Sequence, residues 1–125
     1  MRNDLAQALY SDFPAILPKH RDDRHTPIEC GSGWYAIVEA LCTLMQEQTR
    51  QKPELPQHIT GIKEKFGELM ITTMSKTAET RAYISFAQAM SLRICEICGS
   101  PGQMILTEKW MRTRCAEHES TLPDS

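Results

Sequence analysis

The feature that most restricts this chain is a pair of pairs near its end: Cys95-x2-Cys98, an interval of sixteen residues, then Cys115-x2-His118. Zinc favours four tetrahedral sulfur or nitrogen ligands, and two close pairs let two tight turns supply two corners each. The interval fits that purpose. Gly99-Ser-Pro-Gly102 is a turn cluster directly after the first pair, where backbone amides must face thiolates. Gln103 to Leu106 and Trp110 to Arg114 then predict a small hairpin around Thr107-Glu108-Lys109 that returns the second pair to the first. The pattern predicts one structural Zn2+ held by Cys95, Cys98, Cys115 and His118 in a zinc-ribbon or treble-clef-like knuckle. Four protein ligands leave no position for substrate or reactive water.

The rest of the chain agrees with a metal rather than a disulfide framework. The start, MRNDLAQALYSDF, lacks the basic, apolar and small-residue segments of a secretory leader, which predicts a cytoplasmic protein. In a reducing compartment, clustered cysteines among a total of five point to metal binding or catalysis. With 41% hydrophobic and 24% charged residues the chain is expected to fold as a globular protein, and its apolar runs fall short of a membrane span. Fourteen basic residues against sixteen acidic supply no general attraction to nucleic acid or membrane.

The 125 residues read as a single domain of α+β class: a body over 1–94, a metal module over 95–118 and a tail over 119–125. A short helix is expected over 3–10, ended by Phe13-Pro14. Pro18 to Glu29 reads as a charged surface loop. A long helix from 33 to about 50 follows from Trp34, Ile37, Val38, Leu41 and Met45, with Trp34 as a core anchor. Ile59 to Lys65 and Leu69 to Thr73 read as a hairpin turning near Phe66-Gly67-Glu68, although a short helix before a single strand fits the first half as well. A second long helix, 77–93, places Ala78, Ala82, Phe86, Ala89 and Met90 on its apolar stripe and leads straight into Cys95. Two main helices packed on a hairpin, closed by the knuckle, is the expected architecture.

Several motifs with enzymatic overtones fail on their residues. A zinc deaminase pairs Pro-Cys-x-x-Cys with an upstream His-x-Glu, but Ile94 precedes Cys95 and the upstream motif is missing. A metal nuclease with a His-rich loop needs more histidines near the hairpin than His118. Cys30-Gly-Ser-Gly-Trp34 resembles a papain-type signature except that Gly33 stands where the nucleophile belongs. Cys30, at a helix start and preceded by His20 and His25, is a candidate reactive thiol. It reads better as a half-buried thiol beside surface histidines, and Asp22, Asp23 and Glu29 read as a solvated acidic loop.

Contact surfaces are less clearly marked. Lys63 and Lys65 project from one strand face, where they either meet phosphate or keep an edge soluble. In the module, Arg93, Lys109, Arg112 and Arg114 oppose Glu96, Glu108 and Glu117. That balance is weak for nucleic acid. Trp110 suits either base stacking or packing against the Phe86 helix.

Three ordered blocks, Glu29-Cys-Gly-Ser-Gly-Trp-Tyr35, Ile62-Lys-Glu-Lys-Phe-Gly67 with Leu69, and Cys95-Glu-Ile-Cys-Gly-Ser-Pro-Gly102 with Cys115-x2-His118, resemble a family of small bacterial, phage and prophage zinc-knuckle proteins. Such proteins commonly continue Lys-Phe-Gly-Gly-Leu, where this chain has Glu68. The resemblance covers residues 27–118 and implies a compact α+β protein with no established activity, in a mobile-element context where small proteins often act by binding a host protein. The expected function is therefore non-enzymatic: a protein-binding accessory protein acting on a host or defence protein. The alternative is a nucleic-acid-binding zinc-ribbon protein using Lys63, Lys65, Arg93, Lys109, Trp110, Arg112 and Arg114.

Overall fold

The computed structural model describes residues 1–74 and 77–121; the last part of the expected tail, 122–125, lies outside these. The chain is α+β, with helices α1 (Asn3–Asp12), α2 (Tyr35–Gln51) and α3 (Ala78–Ser91). Strands β1 (Ile28–Glu29), β2 (Ile59–Lys65) and β3 (Glu68–Thr73) form one sheet, and β4 (Gln103–Leu106) and β5 (Met111–Arg114) form a separate hairpin. Among the described residues no helix is long and apolar enough to cross a membrane.

Helix α2 forms where the apolar period demanded it. Ile37, Val38, Leu41, Cys42 and Met45 line one face and are buried. A 3-10 turn, Ser32–Trp34, precedes it and leaves Trp34 fully buried, its indole N–H donating to the Ile94 carbonyl at 2.9 Å. The expected core anchor is therefore also a polar link to the end of α3. Leu9 of α1, then Phe13, Ile16 and Leu17, close the core from the other side together with Ile59, Ile62 and Leu69 of the sheet.

The β2–β3 hairpin turns through Phe66 and Gly67, both with positive φ (54° and 81°). Two left-handed central residues suit the twist of a two-residue hairpin. Glu68 lies outside those two positions, in β3, so its substitution for a second glycine leaves the turn intact. Glu64 stabilises the turn by accepting from the Gly67 N–H at 2.7 Å.

Two expectations fail here. The segment read as a surface loop from Pro18 to Glu29 ends in β1, which pairs parallel to β2 with Ile28 opposite Ile62 and Glu29 opposite Lys63. A two-residue strand has no period to read. Thr26, fully buried, ties the segment inward by donating to the Ile59 carbonyl at 3.0 Å.

The second failure concerns α3, whose expected stripe points outward except at Met90, which packs on the core: Ala78, Ala82 and Ala89 are exposed and Phe86 is 68% exposed. The buried face instead carries Thr80, Ala87 and Ser91, with Tyr83, Ile84 and Met90 half-buried. Polar residues can face inward here because each finds a partner. Thr80 donates to Gln48 of α2 at 3.0 Å and also bonds Gln57, and Ser91 accepts from the Leu69 N–H at 3.0 Å. The inward face is a neighbouring apolar stripe, Tyr83, Ala87 and Met90, flanked by the bonded Thr80 and Ser91.

Candidate metal centre

Chain direction after α3 is set by a tight turn: the Gly99 N–H donates to the Cys95 carbonyl at 2.9 Å and the Cys95 N–H to the Ser100 carbonyl at 2.8 Å. This returns Cys98 toward Cys95. The expected hairpin forms as β4–β5, with Gln103 opposite Arg114 and Leu106 opposite Met111, and is closed by the Thr107 N–H donating to the Trp110 carbonyl at 2.9 Å, which leaves Trp110 in the turn. A 3-10 turn, Ala116–His118, brings His118 back over Cys115.

The four sequence-predicted ligands converge. Their ligand atoms all lie within 4.8 Å of one another. Cys98 Sγ and Cys115 Sγ are 3.7 Å apart, and His118 Nδ1 lies 3.2 Å from Cys115 Sγ and 3.8 Å from Cys95 Sγ. Metal–sulfur bonds of about 2.3 Å in a tetrahedron place two sulfurs about 3.8 Å apart. A disulfide needs about 2.05 Å. The cluster thus has the dimensions of a site for one metal ion, and Nδ1 is the imidazole atom presented to it.

The local electrostatics suit coordination. The Ser100 hydroxyl, and after it the Ser100 amide, hydrogen-bond the Cys98 sulfur and hold its pKa down to about 6. Desolvation pushes the Cys115 thiol up, with the neighbouring Cys98 and Cys95 thiols acting in the same direction and the Glu117 and His118 amides opposing. Three thiols crowded with an imidazole favour a cation that takes up their negative charge as protons leave.

The position that sequence reasoning missed is Glu96, inside the first pair. Although only 3% exposed, it ties its own turn to two other segments, the loop before α2 and β5. One carboxylate oxygen accepts from the Gly31 N–H at 2.8 Å and the other from the Arg114 guanidinium at 3.2 Å. Its backbone carbonyl accepts from the Gly33 N–H at 2.7 Å, and its N–H donates to the Thr113 carbonyl at 3.1 Å. A Cβ on Gly33 would stand 2.1 Å from the Cys95 carbonyl oxygen, so the loop before α2 approaches the turn at Cys95 and Glu96 as closely as a glycine permits. The Thr113 hydroxyl donates to the Gly67 carbonyl at 2.7 Å, adding the β2–β3 turn to the same junction. The three motif blocks of the sequence are thus one contact. Hydrogen-bonding capacity in a Cys-Glu-Ile-Cys turn was the available signal, but its partners Gly31 and Arg114 lie 65 and 18 residues away in the chain.

The candidate contact residues divide. Lys63, Lys65, Arg93 and Lys109 are exposed, on β2, after α3 and at the tip of the β4–β5 hairpin. Arg112 is 22% exposed in its side chain and pairs with Glu64 at 3.3 Å. Arg114 corrects the expectation of a surface contact: it is fully buried in its ion pair with Glu96. Thr113 and Arg114 are both buried at the end of β5, where the strand meets Gly67 and Glu96. Half-buried Trp110 has the Arg112 guanidinium 5.0 Å and the Arg114 guanidinium 5.8 Å from its ring, and Phe86 lines the α2–α3 groove instead.

The reactive-thiol candidate also loses its physical basis. Cys30 is 5% exposed, and burial, then the Glu96 charge, push its pKa up to about 12. His25 is stacked on Tyr10 with ring centroids 4.1 Å apart. A comparison with protein-family models, curated proteins and solved structures returned no match.

Proposed function

We propose that this chain is a non-enzymatic, zinc-stabilised protein-binding accessory protein. The observation that carries the reading is the Cys95, Cys98, Cys115 and His118 cluster, in which protein atoms are available for all four corners. Three thiolates and an imidazole suit zinc, and a site with four protein ligands holds structure rather than substrate. A knuckle followed by an antiparallel hairpin and a second ligand pair supports a zinc-ribbon or treble-clef-like module.

The surface around this module supports protein as the partner class. Leu106 and Phe66 are 68% and 65% exposed, Met111 is 36% exposed, and Trp110 carries an arginine beside its ring. Aromatic and apolar anchors rimmed by charge are the usual material of protein interfaces. The host or defence protein expected as partner, and the phage or prophage origin, rest on the motif resemblance. The nucleic-acid reading keeps Lys63, Lys65, Arg93, Lys109 and half-buried Trp110 but loses Arg114 to the interior and Arg112 to Glu64.

The test is capture from host lysate with the metal-loaded native chain and with Leu106→Ala and Phe66→Ala variants of equal metal content. A protein retained by the native chain and lost with both variants supports the reading. Nucleic acid bound with a steep salt dependence, and lost on charge reversal at Lys63, Lys65 and Lys109, overturns it.

A further inference from the structure

The outward face of α3 carries a pattern that stays exposed in its own fold, with Glu79 meeting half-exposed Lys52 of the same chain at 3.7 Å. Glu79, Ala82, Phe86, Ala89 and Arg93 recur at spacings of three and four and are all exposed. Phe86 stands at the centre, with Glu79 seven residues before it and Arg93 seven after it. Arg93 lies just beyond the helix, where its guanidinium donates to the Ala89 carbonyl at 2.7 Å and so stays beside that face.

This arrangement is self-complementary in one orientation only. Two α3 helices laid antiparallel about a two-fold axis at Phe86 place each Glu79 opposite the Arg93 of the other copy, and alanines flank the central aromatic pair. A parallel pairing sets Glu79 against Glu79 and Arg93 against Arg93, which is repulsive.

Helix α2 continues the match. It runs antiparallel to α3, as shown by the contacts of Lys52 with Glu79, Gln48 with Thr80 and Trp34 with Ile94. The level of Phe86 therefore falls between Ala40 and Leu44. The same axis lays Leu44, 44% exposed, over the small Ala40 of the other copy, along an apolar groove between the helices.

We propose that the α2–α3 face is a homodimer interface, in which a second copy of this chain docks antiparallel through Phe86 with reciprocal Glu79–Arg93 pairs. Symmetric oligomers are built from such isologous patches, where one surface serves as both halves of the contact. The interface uses none of the apolar residues assigned above to a partner protein. It is independent of which metal fills the cluster.

Sedimentation of the metal-loaded full chain over a wide concentration range tests it. The native chain is expected to dimerise, Phe86→Glu to remain monomeric, and Glu79→Arg or Arg93→Glu alone to weaken dimerisation by about fivefold to tenfold, since two symmetry-related pairs are lost. The combined Glu79→Arg and Arg93→Glu chain restores both pairs and should return to native association. All three positions are exposed, so unchanged circular dichroism and metal content separate an interface effect from misfolding. A chain that stays monomeric throughout, a dimer indifferent to Phe86→Glu, or a double exchange that fails to rescue overturns the proposal. So does a monomeric chain that uses Phe86 to hold a different protein.

Discussion

At the residue scale the account turns on Glu96 and the glycines it meets. A buried carboxylate and a buried guanidinium stabilise little as a pair, yet removing one charge strands the other in a dry environment. Glu96→Gln keeps the side chain's shape and leaves Arg114 uncompensated, so unfolding by urea should show a loss of about 3 kcal/mol. Gly33→Ala forces a methyl into a carbonyl 2.1 Å away and is expected to cost about 2–4 kcal/mol, as overpacking without room to relax does. A Gly33→Ala chain with native stability would show that the loop and the knuckle are not in contact. The sequence displayed the four candidate ligands because metal binding calls for close pairs at a set spacing. It concealed Glu96, whose neighbours in space are distant in the chain and whose residue type ordinarily reads as surface.

At the scale of elements, helix α2 and the β2–β3 hairpin were legible because each keeps a single period and a marked turn. Helix α3 was legible in position but not in orientation, since its inward face joins Tyr83, Ala87 and Met90 to the polar Thr80 and Ser91, while the aromatic Phe86 stays outside. β1 was too short to leave a pattern.

The thiols buried at α2 and just before it make a prediction at this scale. Burial raises the pKa of Cys30 and Cys42 from the ordinary 9.0 to about 12. Between those values the unfolded chain has released protons that the folded chain retains, so stability is complete below about pH 9 and falls as pH rises toward 12. The slope contributed by each thiol is about 1.4 kcal/mol per pH unit. Urea midpoints measured from neutral to strongly alkaline pH should fall less steeply for Cys42→Ala than for the native chain. Parallel slopes would mean that Cys42 is not held neutral by the fold.

At the scale of the whole molecule, the metal module is a keystone rather than an appendage. Its knuckle bonds Gly31 and Gly33, its β5 strand bonds Gly67, and the residue leading into it bonds Trp34. Structural zinc sites can contribute about 10 kcal/mol of apparent folding free energy, comparable with the net stability of a small domain. Chelation should therefore be felt beyond 95–118. Hydrogen exchange after metal removal is expected to strip protection from the Gly31 and Gly33 amides along with the module, while protection confined to its native pattern in the body would mark the module as separable. Metal content of the purified native chain and of Cys98→Ser is the most direct test of the central claim. One zinc per native chain, lost or weakened in Cys98→Ser together with cooperative unfolding, is the predicted result; a native chain without zinc, whose unfolding midpoint ignores chelators, would contradict it.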